Sequence, residues 1–431
     1  MNTFFVLFVG GCGLLVAVSV WRPRLIYEYP YFMGVVFAAF ILPQAYGLEL
    51  NNADAGYLND TFLMCLLCLG ACWLGYLPRG HPGMVAKLNG PIDPDRFLHG
   101  GIALVIVGGY FTYAFGAMDA DPSMGLMTGI GTIYLFFGGL VYPGFAICFY
   151  CALKYKSSFA YMWSGISALI PIQAAVFYGR REPTVLFIFT LGMTLFFIKG
   201  IKPPRTLVAV LVAAAALVIP ATGQYRQLAA EDPLEALRQT DFVGEFKNYF
   251  DANAISEVKN AMILIAATEE SGRYGLGTAY WNRLIFRFVP AQFVGKEVKS
   301  GLMIGGEERD WADFVTESIS FEMPSGSTVT GIGDSFNQFG FLGCLFFAAM
   351  AYLFKSLWAA ANRADGMIAQ ILYIQTATSA MRALTHQTID FLPGFIYSAI
   401  FVGLIALYAR ERVDPLAISI SALSRHNSSS K

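Results

Sequence analysis

The chain has 431 residues, 56% of them hydrophobic and only 14% charged, and its mean hydropathy is +0.54. A soluble domain carries about 25% charged residues, so an ordinary soluble enzyme is excluded. The 29 basic and 30 acidic residues nearly cancel and form no basic face or stripe, which excludes a nucleic-acid binder. The apolar residues fall in runs near the ~20 that cross a ~30 Å hydrocarbon core as helix. They do not show the ~10-residue alternation of an outer-membrane barrel. The expected fold class is all-α, a polytopic helical membrane protein.

In chain order, eleven spans are expected near 3–20, 31–47, 60–77, 99–117, 129–151, 159–178, 184–199, 206–221, 331–354, 367–385 and 391–409. The first run has no positive charge before it and no small-residue cleavage site, so it reads as a retained span rather than a secretory signal. Alternate connections differ in charge. One set carries Arg22, Arg24, Arg79, Lys87, Arg96, Lys154, Lys156, Lys199, Lys202, Arg205, Lys355, Arg363, Arg410 and Arg412; the short connections 48–59 and 118–128 carry no Lys or Arg. The positive-inside rule then places the N-terminus outside and the C-terminus in the cytoplasm. The expected organisation is a bundle over 1–221, a large outer loop over 222–329, further spans over 330–410, and a cytoplasmic tail over 411–431 whose Ser/Asn-rich end is too polar to order. No internal repeat and no inverted pair of interrupted helices is apparent.

Against this background some residues stand out. Arg180 and Arg181 lie at the outer end of the sixth span and Arg382 at the outer end of the tenth. Arginine near hydrocarbon is costly and marks either function or snorkelling to lipid phosphate. Cys65, Cys68 and Cys72 share a helix face at i, i+3, i+7 without further ligands nearby, so packing is expected of them. Of four histidines only His386 falls on the outer side, which excludes a zinc site built on histidine pairs there. His386 is either a general base or a hydrogen-bonded interfacial residue. Asp119-Ala-Asp121 has the spacing of a divalent-cation site but also suits an acidic turn before Pro122.

The outer loop holds ten basic and sixteen acidic residues. Asp232-Pro233 predicts a helix start, N-cap then first-turn proline, and 254–268 predicts an apolar-periodic helix. Arg283 and Arg287 are i, i+4 on one helical face, suited to gripping a diphosphate or to structural ion pairs with Glu269 or Glu270. Tyr280 and Trp281 are candidate stacking platforms for sugar rings. Glu307-Glu308-Arg309-Asp310 reads as an acidic, turn-rich surface. Asp334 sits at or just inside the outer boundary, where a carboxylate is expensive unless it is partnered, functional or an N-cap.

Two segments resemble a known family. Gly179-Arg180-Arg181-Glu182-Pro183, opening a span, with Gly192 eleven residues after Arg181, looks like the arginine entry of bacterial oligosaccharide repeat-unit polymerases. Gly331-Ile-Gly-Asp334-Ser-Phe-Asn337-Gln-Phe339-Gly340-Phe-Leu-Gly343 is similar to their acidic–x–aromatic–x–Asn/Gln–Phe–Gly–x–x–Gly signature. It departs in having Asp334 in place of Glu, and in the extra Gln338. The resemblance implies a Wzy-type polymerase, of the superfamily shared with O-antigen ligases and GT-C-like membrane glycosyltransferases. It implies a bacterial inner-membrane protein whose periplasmic face transfers a growing glycan from undecaprenyl diphosphate to the non-reducing end of a new lipid-linked unit. Membrane lipids, a chain-length copolymerase and a flippase are the implied neighbours, and no cofactor is implied.

Such chemistry needs cations on the leaving diphosphate and a base for the attacking hydroxyl. Arg180, Arg181, Arg226, Arg283, Arg287 and Arg382 are assigned to diphosphate, Tyr280, Trp281 and Asn337 to sugar, and Glu182, Asp334 and His386 are the base candidates. No metal is assigned. The rivals are an O-antigen ligase, disfavoured because 222–329 lacks histidine, and a lipid-linked sugar flippase, disfavoured because charges cluster at one side. A serine hydrolase using Ser327, His386 and Asp334 lacks the nucleophile elbow.

Overall fold

The computed structural model describes residues 1–51, 55–118, 130–229, 232–251, 256–308, 310–324 and 327–411. Asp119, Asp121, Arg309 and the polar tail lie outside them. Among the described residues every named element is helical, and the one extended pairing is a single bridge, Ile92 to Arg410. Ten helices are long and apolar enough to cross a membrane, from Thr3–Trp21 to Thr388–Ala409. This is the architecture of a polytopic helical membrane protein.

Those ten match ten of the expected spans. The other expected span, 367–385, is present as the helix Met367–Thr385, but it is too polar to count with them. It carries Gln370, Gln375, Thr376 and Thr378, all buried. It packs against Cys344–Ala361, Phe391–Ala409 and Arg181–Lys199. Protein rather than lipid surrounds it, so polar side chains are tolerated at lower cost.

Two expected spans are interrupted, which the sequence reading did not anticipate. Ile130–Tyr155 turns between Gly138 and Val141, and Gly331–Ala361 divides into Gly331–Phe339, a 3-10 turn Gly340–Gly343 and Cys344–Ala361. The second break needs glycine. Gly340 sits at φ +60°, and a Cβ on Gly343 would collide with the Ser335 carbonyl. Gly343→Ala is therefore expected to cost about 1–3 kcal/mol through forced backbone movement. Thermal unfolding in detergent measures it, and an unchanged unfolding temperature would mean the turn gives way freely. Asp334 lies in the first turn of Gly331–Phe339, whose N-cap is Thr330, so it is not the cap.

Cys65, Cys68 and Cys72 are buried on one face of Ala55–Leu74 as free thiols, with Cys72 Sγ 3.7 Å from the Tyr29 hydroxyl. They pack; they face no ligand set.

After Arg205–Ala229, the described residues between 232 and 329 form shorter helices on one end of the bundle. Asp232 caps Pro233–Gln239 by accepting from the amides of Leu234 and Glu235, as its sequence predicts. The predicted helix over 254–268 is Glu257–Ser271, capped by Ser256 and ended by Gly272 at φ +62°. It is docked by polar clamps: the Val258 amide donates to Gln44 Oε1 at 3.0 Å, and Asn260 Nδ2 to the Thr328 carbonyl at 2.9 Å. A second apolar cluster, with Leu264, Ala267, Phe314 and Val315 buried, packs it against Trp311–Ile319.

Candidate functional site

At that same end, arginines from separate chain segments converge. The helix Ser158–Val176 ends, the chain turns at Gly179 with φ +51°, and Arg181 opens the helix Arg181–Lys199. The neighbouring helix Arg205–Ala229 holds this turn: Arg226 Nε donates to the Gly179 carbonyl at 3.2 Å, and the Tyr225 hydroxyl donates to the Val176 carbonyl. Only a glycine fits, because a Cβ at position 179 would meet the Tyr225 ring at 2.8 Å. Arg181 donates to the Thr222 hydroxyl and lies 3.9 Å from Glu257.

Opposite stands Asp390, a largely buried carboxylate at the end of the 3-10 turn Thr388–Asp390. Arg283 grips it with Nε at 2.7 Å and with its terminal nitrogen at 2.6 Å, and reaches Glu308 at 2.8 Å with the other. Arg382 reaches Asp390 at 3.1 Å and Glu182 at 3.5 Å. That last pair ties the Arg180–Glu182 turn to the Arg382–Asp390 segment. Burial alone would loosen the proton of Arg283; the Asp390 and Glu308 carboxylates more than offset it and raise its pKa.

Asp334 is buried behind this layer. Its Oδ2 accepts from the Thr388 hydroxyl and from the Ile389 amide at 3.2 Å. Tyr280 joins the same network, its hydroxyl 2.7 Å from Thr388 Oγ1. Burial and then the Asp334 charge push the Tyr280 phenol up, so it stays a neutral hydroxyl.

His386 follows the last turn of Met367–Thr385 with one side open to solvent. Its Nδ1 is 2.9 Å from the Thr385 hydroxyl. Desolvation by the surrounding protein, and then the Arg382 charge, lower its pKa to about 4; Asp390 opposes this, and Arg181 and Arg226 add to it. The imidazole is therefore neutral at physiological pH. The unfolded chain, with an ordinary value near 6.5, takes up a proton there first as pH falls. The stability this neutral ring contributes is complete above about pH 6.5 and is lost between pH 6.5 and about 4. His386→Gln is expected to flatten the stability–pH curve in that window, read by thermal unfolding across pH. An unchanged slope would place the depressed titration elsewhere.

The sequence candidates divide accordingly. Arg180, Arg226 and Arg287 have no carboxylate within ion-pair distance among the described residues. The Arg287 guanidinium lies over the Phe136 ring at 5.7 Å. Burial, and next the Arg382 charge, lower its pKa. Arg181 and Arg382 are partly paired and partly exposed. Three candidates have structural duties instead. Arg283 is neutralised by Asp390 and Glu308, not by Glu269 or Glu270. Tyr280 is 8% exposed and stacked on Phe346 at 4.8 Å, so it offers no face to a sugar. Asn337 donates to Thr268 Oγ1 at 2.9 Å, and its backbone carbonyl accepts from the Gly275 amide at 2.9 Å, locking Gly331–Phe339 to the loop. Trp281 is exposed, with its indole nitrogen donating to the Leu302 carbonyl at 2.8 Å. Glu182 is half exposed beside Arg382.

Asp390 and Thr388 were not assigned a role from sequence, and Glu308, read there as acidic surface, is instead the second carboxylate partner of Arg283. Arg382, His386 and Asp390 recur every four residues, a visible signal, but the helix ends at Thr385 and a helical-face argument fails there. Among the described residues no group of three or more His, Cys, Asp or Glu side chains could hold a metal ion. Comparison with family models, curated proteins and solved structures finds no match for this chain.

Proposed function

We propose that this protein is a membrane glycosyltransferase that polymerises lipid-diphosphate-linked oligosaccharide units at the periplasmic face of the inner membrane. The observation that carries the reading is the convergence of Arg181, Arg226 and Arg382 around His386, with Arg180 close to Arg226 and Arg287 close to Arg382; Arg180, Arg226 and Arg287 face no carboxylate among the described residues. Unpaired guanidiniums at one site await an anion, and guanidinium forks match phosphate oxygens. The amino end of Arg181–Lys199 adds its dipole to the same field.

In this reading a hydroxyl of the incoming unit attacks the anomeric carbon of the growing glycan. The bond from that carbon to the diphosphate oxygen breaks, and the electron pair leaves on the diphosphate, where the arginines stabilise it. His386, neutral and open to solvent, is the best placed acceptor for the hydroxyl proton. Asp334 has one oxygen committed to Thr388 and Ile389 and is buried, and Glu182 is held by Arg382. A pKa of about 4 suits a weak base. Burial is the larger cause of that lowering, and a bound diphosphate offsets only the smaller part contributed by Arg382, Arg181 and Arg226.

The test uses purified protein in nanodiscs with undecaprenyl-diphosphate-linked repeat units. The expected result is a product ladder spaced by one unit. Transfer onto added lipid A core without a ladder would make the protein a ligase. One observation favours a second reading, transport of the lipid-linked sugar: polar Met367–Thr385 runs buried through the bundle, and two spans are interrupted. Movement of the lipid-linked unit across vesicles without new glycosidic bonds would establish that reading and end the first.

A further inference from the structure

The other end of the bundle holds a cavity of about 480 Å³. Arg181–Lys199 and Met367–Thr385 both run between it and the arginine cluster, beginning or ending beside Gly200 and Arg363. Each has 19 residues, so about 28 Å separates the two places.

Four cations line this cavity: Arg24, Lys154, Lys202 and Arg363. They come from four segments: the turn Pro23–Tyr27, the end of Val141–Tyr155, the stretch after Lys199, and the connection after Ala361. None forms an ion pair within 4.0 Å among the described residues, and the Arg24 charge reaches Glu28 only from beyond that distance. Aromatic rings lie beside two of them. The Arg24 guanidinium is 6.0 Å from the Phe196 ring centre, and the Lys154 ammonium is 5.4 Å from that of Tyr150. The cavity wall also includes Gln370, which is 8% exposed. Its amide nitrogen donates to the Ala361 carbonyl at 2.7 Å, while its Oε1 is buried without any donor.

These observations specify a ligand with two features. It must carry acceptor oxygens and negative charge for the four cations, and a hydroxyl on it would supply the donor that Gln370 Oε1 lacks once that side chain turns toward the cavity. A carboxylate or a bare sulfate supplies the first and lacks the second. A phosphoryl group bearing a hydroxyl supplies both. We propose that this cavity is a binding site for a phosphoryl group with a hydroxyl beside it, either the phosphodiester and glycerol hydroxyl of an anionic phospholipid headgroup or free hydrogen phosphate. Its position at the ends of the helices is where headgroups lie, and basic pockets between helices bind such headgroups. The site is independent of the arginine cluster and of the reaction proposed there.

The test uses the full chain in nanodiscs of phosphatidylcholine alone and of phosphatidylcholine mixed with phosphatidylglycerol. Retained lipid is read by native mass spectrometry, and stabilisation by thermal unfolding. Preferential retention of phosphatidylglycerol with a raised unfolding temperature is expected if the source is lipid. Saturable stabilisation by inorganic phosphate in phosphatidylcholine discs is expected if the source is free phosphate. Each removed cation should weaken binding roughly fivefold, so Arg24→Ala with Arg363→Ala should lose about 25-fold. Gln370→Leu should weaken it further by removing the acceptor. Lys202→Gln lies outside the helices and gives a reading if the double variant misfolds. Equal retention of both lipids together with no response to phosphate would overturn the proposal, as would full affinity in the Lys202→Gln and Arg363→Ala proteins.

Discussion

Arg283→Ala should destabilise the loop end of the bundle by about 3–5 kcal/mol, the cost of leaving a buried ionic network without one of its partners. The side chain is only 25% exposed, and it is the residue that joins Asp390, 10% exposed, to Glu308. Without it Asp390 keeps Arg382 alone, at 3.1 Å and through Nε, and Glu308 loses its only ion pair among the described residues. The damage spreads because Thr388 and Ile389 of the same turn hold Asp334, and Thr388 also holds Tyr280. Arg283→Lys should recover only part of the loss, since one ammonium cannot fork across two carboxylates. The measurement is thermal unfolding in detergent, with size-exclusion homogeneity as a second readout. An Arg283→Ala protein that unfolds like the parent but no longer transfers sugar would return this residue to the diphosphate site.

Arg287→Ala and Arg226→Ala should do the reverse. Neither side chain has a carboxylate partner among the described residues. Their removal is expected to cost no more than about 0.5–1.5 kcal/mol, through the lost hydrogen bond to the Gly179 carbonyl for Arg226 and the lost Phe136 ring contact for Arg287. Transfer should fall about 100- to 1,000-fold, the scale for removing a group that stabilises charge in the transition state. Arg287 is the sharper case, because burial and the nearby Arg382 charge already weaken its hold on its proton. An anion arriving between Arg287 and Arg382 relieves that repulsion, so binding and charge relief coincide. The check is the rate of ladder formation per folded molecule, compared with the parent and with Arg283→Ala. Parent-like rates in both variants would remove the diphosphate from this end of the bundle.

The contrast between Arg283 and Arg287 shows where sequence reasoning stopped. Both lie on one helical face, one turn apart, and residue type and spacing make them equivalent. What separates them is Asp390, 107 residues further along the chain, which reaches Arg283 and leaves Arg287 over an aromatic ring. Tyr280 and Trp281 diverge for a related reason: neighbours on a helix point about 100° apart, so one enters the core beneath Thr388 and the other faces solvent. Asn337 resembled a motif residue and serves as a clamp, because the break at Gly340 turns its helix toward Thr268.

The amino-acid sequence by itself determined the all-helical, membrane-crossing architecture, since runs of apolar residues have no other way to satisfy their backbone in hydrocarbon. It also marked the costly arginines and the glycine-bounded re-entry at Asp334, because charge near an apolar run is conspicuous wherever the chain goes. The tertiary structure alone decided which helix lies in the middle of the bundle and may be polar, where a span is broken, and which arginines are spent on carboxylates. Those outcomes depend on pairings between residues tens to hundreds of positions apart, and local spacing carries no record of them.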